Sequence, residues 1–162
     1  FPEALACHFA DWLWFTWNKK NLLETCLNRN ITCCVNSNFD HFNKMYGDLG
    51  ITTFSQHSKQ GLTKDPYKLC GGNTGHHIIN LAYHLGFTNI VLLGYDLVEE
   101  PKTHWHNLHK RATNVKNFTE VMIPGFNTLK DAKEQYGINI VNVNKQSALK
   151  CFEFGNLEEF IK

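Results

Sequence analysis

The stretch that most constrains this chain runs from Leu69 to Asp96. It opens with Gly71-Gly72-Asn73-Thr74-Gly75, a turn in which glycine permits backbone shapes closed to other residues. Ile78, Ile79, Leu81, Ala82 and Leu85 then recur at helical spacing and predict an amphipathic helix with a broad apolar face. Gly86 supplies the residue at which such a helix stops, because glycine accepts the left-handed cap. Ile90-Val91-Leu92-Leu93 follows as an unbroken apolar run, which predicts a strand covered on both faces. Glycine turn, helix, turn and buried strand together make half of a Rossmann-like, doubly wound α/β fold, with a mostly parallel sheet flanked by helices.

The remainder alternates in the same way. Leu13-Trp14-Phe15 sits in an aromatic cluster with Trp12 and Trp17, and Asn18 is expected to cap a helix reaching Cys26. Ile31–Val35 and Ile51–Phe54 read as strands, and Gln56–Tyr67 as a loop. A long polar segment extends from Asp96 to about Pro124. Thr128–Tyr136 is expected to be helical with Gly137 as its stop, Ile138–Val143 a strand, Ser147–Phe152 a turn, and Leu157–Ile161 a closing helix. With 162 residues and no repeat or linker, residues 1–162 are expected to form a single domain.

Composition excludes several function classes. Hydrophobic residues at 43% and charged residues at 19% do not describe a disordered chain or a coiled coil. A formal charge of +1 leaves no strong field for nucleic acid or an anionic membrane surface. The apolar runs Trp12–Phe15 and Ile90–Leu93 fall far short of the roughly 20 residues that cross a bilayer. The six cysteines follow no Cys-x-x-Cys spacing and are expected to be reduced, with Cys33 and Cys34 on opposite faces of one strand. Asn30-Ile31-Thr32 and Asn117-Phe118-Thr119 match a glycosylation pattern, but no secretory signal accompanies them.

Three groups of residues carry chemistry. The Gly72-Asn73-Thr74-Gly75 turn offers free amides and the positive end of a helix, which suits a phosphate, although the same residues also serve as a plain capped turn. Gly94-Tyr95-Asp96 lies at the carboxyl end of the apolar strand, where open α/β sheets bind ligands; Asp96 there suits a metal, a sugar hydroxyl or a base, or merely caps the next turn. His104, His106 and His109 crowd into six residues, and with Asp96 they would suit zinc or another divalent metal. The related hydrolase signature His-x-His-x-Asp-His has Leu108 in place of its aspartate here. His77, Asn80 and His84 fall on one stripe of the predicted helix and are expected to form its polar face.

Cys70–Gly75, Ile79–Gly86, Ile90–Asp96, His104-Trp105-His106 and the stretch from Asn142 to Phe152 resemble a phage-associated family of MptE-like proteins, named for an archaeal 6-hydroxymethylpterin diphosphokinase. The same core is similar to bacterial lipooligosaccharide sialyltransferases. The resemblance implies that Gly72, Asn73, Thr74 and Gly75 contact a nucleotide or nucleotide-sugar, with Gly94, Tyr95 and Asp96 lining the same crevice. It also implies that the family's opening strand and Gly-x-Gly-Pro-Ser-type loop are missing ahead of Phe1. The sialyltransferases carry a catalytic histidine after a glycine early in a late helix, where this chain has Gly125-Phe126, so the histidines at 104, 106 and 109 are the obvious substitutes.

The expected function is therefore a transferase-type domain handling a phosphate-bearing donor, diphosphokinase-like or glycosyltransferase-like. Asp96 is the expected metal ligand or base, and His106 the general acid or phosphate contact. A divalent metal (Mg, Mn or Zn) fits this reading. The partner is a small nucleotide ligand, with no nucleic acid or membrane, in a cytoplasmic protein (the host cytoplasm if phage-encoded), and a homo-oligomer is left open. The alternatives are a phage-type module that sequesters a nucleotide without turnover, and a metal-dependent hydrolase at the histidine cluster.

Overall fold

The computed structural model describes residues 4–36, 46, 49–98 and 116–161. Among them the chain is a mixed α/β protein whose strands pair in parallel and are flanked by helices. The first sheet holds β1 (Ala6–Phe9), β2 (Thr32–Asn36), β3 (Thr52–Gln56) and β4 (Lys68–Leu69), in that order. The second holds β5 (Asn89–Leu92), β6 (Asn139–Asn142) and β7 (Glu153–Phe154).

Side chains alternate across the first sheet and sort its two faces. Phe9, Cys33 and Val35 point to α1 (Trp12–Asn28), where they pack with Phe15 and Cys26. Cys34, Phe54 and Leu69 point the other way and pack on Leu81 of α2 (Thr74–His84). Cys33 and Cys34 thus lie on opposite faces, as their adjacency requires, and all six cysteines are free thiols.

A third core joins α2 to the second sheet. Ile79 of α2 meets Leu92, Ile138, Ile140, Leu149 and Phe152, together with Phe126 and Leu129. Phe126 belongs to α3 (Ile123–Asn127), which continues a π-helical turn at Phe118–Met122. α4 (Ala132–Tyr136) ends at Gly137, whose φ of 72° is the left-handed stop.

Several elements depart from the sequence reading. α1 starts at Trp12, not after Asn18, because the Asp11 carboxylate accepts from the Trp14 amide at 2.9 Å and caps it there. The aromatic run is therefore the first turns of a helix, and Asn18 is interior, its amide donating to the Trp14 carbonyl. β1, β7 and the helix over 118–127 were not expected. β1 and β7 have only 4 and 2 residues, too few to show a period. The stretch Thr128–Asp131 is turn, and residues 157–159 make a single 3-10 turn in place of a closing helix. Leu93, just past the end of β5, is 56% exposed and Asn89–Val91 are not buried, so the run is not covered on both faces.

Candidate functional site

The site is built around the start of α2. Gly71 adopts a φ of +130°, and a Cβ there would lie 2.6 Å from the Cβ of His76, so only glycine lets the turn fold back on its helix. Asn73 then caps α2, its Oδ1 accepting from the His76 amide at 3.0 Å. Asn73 is thus engaged as a helix cap through its oxygen, while its Nδ2 is buried without a partner. Gly72 is exposed, and Thr74 and Gly75 are half-buried.

The polar stripe of α2 faces inward, contrary to expectation. Asn80 is fully buried; its oxygen accepts from Thr63 N at 3.1 Å and Cys70 N at 2.8 Å, and its amide donates to Thr63 O at 3.1 Å. His76 Nε2 reaches Gly61 O at 2.9 Å, and His84 Nε2 lies 2.9 Å from Lys68 O. The loop before β4 has no ladder of its own beyond β4, and these side chains satisfy its backbone instead. Ile78 and Leu85, expected in the core, are 41% and 56% exposed for the same reason: the loop occupies the opposite face.

The two expected binding segments meet. The Tyr95 hydroxyl donates to the Gly75 carbonyl at 3.0 Å, and a Cβ on Gly75 would lie 2.9 Å from the Tyr95 ring. Burial pushes the Tyr95 phenol above its ordinary range, so it stays protonated and donates. Its ring also contacts Phe126, which stacks on His76. Tyr95 therefore closes one side of the turn as a wall and buttress, with its hydroxyl already used. Gly94 and Asp96 beside it are exposed, and Asp96 accepts a hydrogen bond from the Asn144 amide. Ser147 donates to Tyr95 O and Ala148 N to Asp96 O, so the segment after β6 braces this strand end.

Sequence reasoning missed a second polar group at the carboxyl ends of the first sheet. His8 of β1 and His77 of α2 face each other with ring centroids 5.3 Å apart, at 8% and 4% exposure. Burial holds both imidazoles down, to about 4, so they are neutral at pH 7. Asn36 at the end of β2 reaches His77 Nε2 at 2.9 Å and Gln56 Oε1 at 2.8 Å. Four buried polar atoms without partners lie on or against this first turn of α2: Asn73 Nδ2, His76 Nδ1, His77 Nδ1 and His8 Nε2. The signal in the sequence is a polar residue closing β2 and β3, Asn36 and Gln56, with His8 one residue short of the end of β1, a strand too short to read.

Of the expected metal ligands, Asp96 falls within the described residues, and His104, His106 and His109 lie outside them. Among the described residues no three histidine, cysteine or acidic side chains gather as a metal group. No helix among them is long and apolar enough to cross a membrane. No family model, curated protein or solved structure matches the chain.

Proposed function

We propose that this chain is a nucleotide-binding domain of transferase type, MptE-like in character, which takes the phosphates of a nucleotide or nucleotide-sugar on the Gly72–Gly75 turn. The observation that carries this reading is the Tyr95–Gly75 hydrogen bond, because it sets the start of α2 against the carboxyl end of β5. Free amides and the positive end of an 11-residue helix favour an anion there. Gly94 and Asp96, exposed on the adjoining strand end, offer backbone and carboxylate to the rest of the ligand.

The finer fold belongs to this proposal. α2 leaves β4 at one edge of the first sheet yet packs against β1 at the other. We propose that β5 lies on the side of β1, which would join the two sheets into one doubly wound, Rossmann-like sheet in the order β4-β3-β2-β1-β5-β6-β7. Strand order in that joined sheet would reverse between β1 and β5, which is where such sheets bind ligands. Residues 1–162 are a single domain in this reading.

Transfer of a diphosphoryl or glycosyl group depends chiefly on positioning and on stabilising charge at the leaving phosphate. The turn amides hold that phosphate, Tyr95 fixes the turn, and His106 is the proposed acid or phosphate contact. A divalent ion would add Lewis-acid neutralisation of the phosphates, with Asp96, His104, His106 and His109 as its proposed ligands. One observation favours binding without turnover: Asn144 already occupies one oxygen of the Asp96 carboxylate.

Calorimetry of the chain with nucleoside 5′-diphosphates, triphosphates and a CMP-sugar, followed by chromatography of the products, tests this. Stoichiometric binding with a transferred group supports the transferase, and binding with the ligand recovered intact supports the sequestering module. Binding of none of these ligands overturns both.

A further inference from the structure

The buried hydrogen-bond network assigns protons to the two facing imidazoles. His8 Nδ1 lies 3.2 Å from the Cys34 carbonyl, which can only accept, so Nδ1 carries the proton and Nε2 is a bare acceptor. The Gln56 amide nitrogen faces the carbonyls of Ser58, Leu69 and Gly71, the last at 2.9 Å, which fixes its orientation. Gln56 Oε1 then receives one proton of Asn36 Nδ2, and the second proton of that amide faces His77 Nε2. The Asn36 amide at 2.9 Å is the closer partner of His77 Nε2 than the Gly71 carbonyl at 3.1 Å, which makes Nε2 the acceptor and leaves the proton on Nδ1.

What remains is an unpaired acceptor on His8 and an unpaired donor on His77, on rings 5.3 Å apart and both more than nine-tenths buried. A buried donor or acceptor left unmade forfeits its hydrogen bond to water with nothing in return. Both rings are neutral, so they suit a neutral group that donates and accepts at once, and not a phosphate. The α2 turn beside them suits the phosphate.

We propose that His8 and His77 together recognise an uncharged hydroxyl or amide group of the nucleoside portion of the ligand, while the Gly72–Gly75 turn takes its phosphates. This inference rests on the nucleotide reading above. It makes the imidazole pair the specificity-determining contact and divides one ligand between a charge-reading turn and the uncharged rings of His8 and His77.

The test titrates the full chain with the four nucleoside 5′-diphosphates, their 2′-deoxy forms and inorganic pyrophosphate, alongside the variant His8→Phe. A nucleoside diphosphate is expected to bind, and H8F to weaken it about ten-fold, the effect of one lost hydrogen bond in a buried site, with pyrophosphate changed less than about two-fold. Loss with the deoxy form places the contact at the ribose hydroxyl, and loss with one base alone places it at the base edge. Because H8F disturbs a buried position, nitrogen resonances of the wild-type imidazoles provide a second reading. The His8 Nε2 and His77 Nδ1 signals should move on saturation with the nucleotide and stay in place with pyrophosphate.

Unmoved signals at nucleotide saturation mean that water or nothing occupies the pair, and the inference fails. It fails equally if H8F weakens nucleotide and pyrophosphate alike. Binding of pyrophosphate but no nucleotide removes the imidazole inference while leaving the phosphate turn standing. Binding of neither removes the nucleotide reading, and this inference with it.

Discussion

The Tyr95 hydroxyl donates to the Gly75 carbonyl at 3.0 Å, and this one bond couples residues 20 apart in sequence. It sets the first turn of α2 against the end of β5, and the Tyr95 ring lies where a side chain on residue 75 would have to go. The turn is consequently held in shape from outside, by a side chain, as well as by its own glycines.

The glycines of the turn should therefore respond differently to alanine. Gly71→Ala combines a φ of +130° with a Cβ 2.6 Å from His76 and is expected to cost about 3 kcal/mol. Gly75→Ala meets Tyr95 at 2.9 Å and is expected to cost about 1–2 kcal/mol, offset in part by alanine's better helix propensity. Gly72→Ala meets only Val121, at 3.5 Å, and should change stability by less than about 0.5 kcal/mol while weakening any anion on the turn. Urea unfolding of the three variants checks the order, and equal costs would contradict this account of the turn.

Asn80 ties the preceding loop to α2. Asn80→Ala leaves the amides of Thr63 and Cys70 without the oxygen that both share, at a fully buried position. The expected cost is roughly 2–4 kcal/mol. Hydrogen exchange should accelerate at Thr63 and Cys70 well before it does in β6, and uniform acceleration would argue that the loop is not a separate unit.

Acid should destabilise the fold through His8 and His77. Burial lowers both to about 4 from an unfolded value near 6.5, and it lowers His76 as well, so the unfolded chain binds more protons across that interval. Their contribution is complete above pH 6.5 and is lost as pH falls toward 4, by up to about 1.4 kcal/mol per pH unit for each group. Denaturant midpoints measured from pH 7 to pH 4 should fall accordingly. In H8F the slope should be shallower by about one proton, and an unchanged slope would show that His8 does not titrate in this window.

The thiols on the first sheet should be sluggish. Burial, with neighbouring thiols adding to it, pushes Cys7 and Cys34 up to about 11 and Cys33 up to about 12. A rise of about two units over an ordinary thiol leaves on the order of 100-fold less thiolate at pH 8. These three cysteines are expected to react with an aromatic disulfide reagent only on unfolding, followed by mass spectrometry of the labelled peptides. Rapid labelling of Cys33 in the native chain would contradict its burial.

Local chemistry made much of the fold legible. The unit from Cys70 to Leu92 could be read because glycine, asparagine and apolar spacing each impose a backbone shape within a few residues. β2, β3 and β6 could be read to within about two residues for the same reason, since β-branched and apolar runs resist other conformations. α1 was misplaced because its cap, Asp11, precedes aromatic residues that are equally at home in a strand or in a core.

The amino-acid order by itself determined the α/β character, the glycine turn and the helix that follows it, because those depend on torsional freedom and capping between near neighbours. Only the tertiary structure decided which face of α2 is inside, since a histidine and asparagine stripe looks solvated until a loop arrives to use it. It likewise decided that Tyr95 meets Gly75 and that His8 meets His77, pairs 20 and 69 positions apart. Such contacts arise from the parallel crossovers that bring strand ends to one edge, and no local propensity encodes which ends those will be.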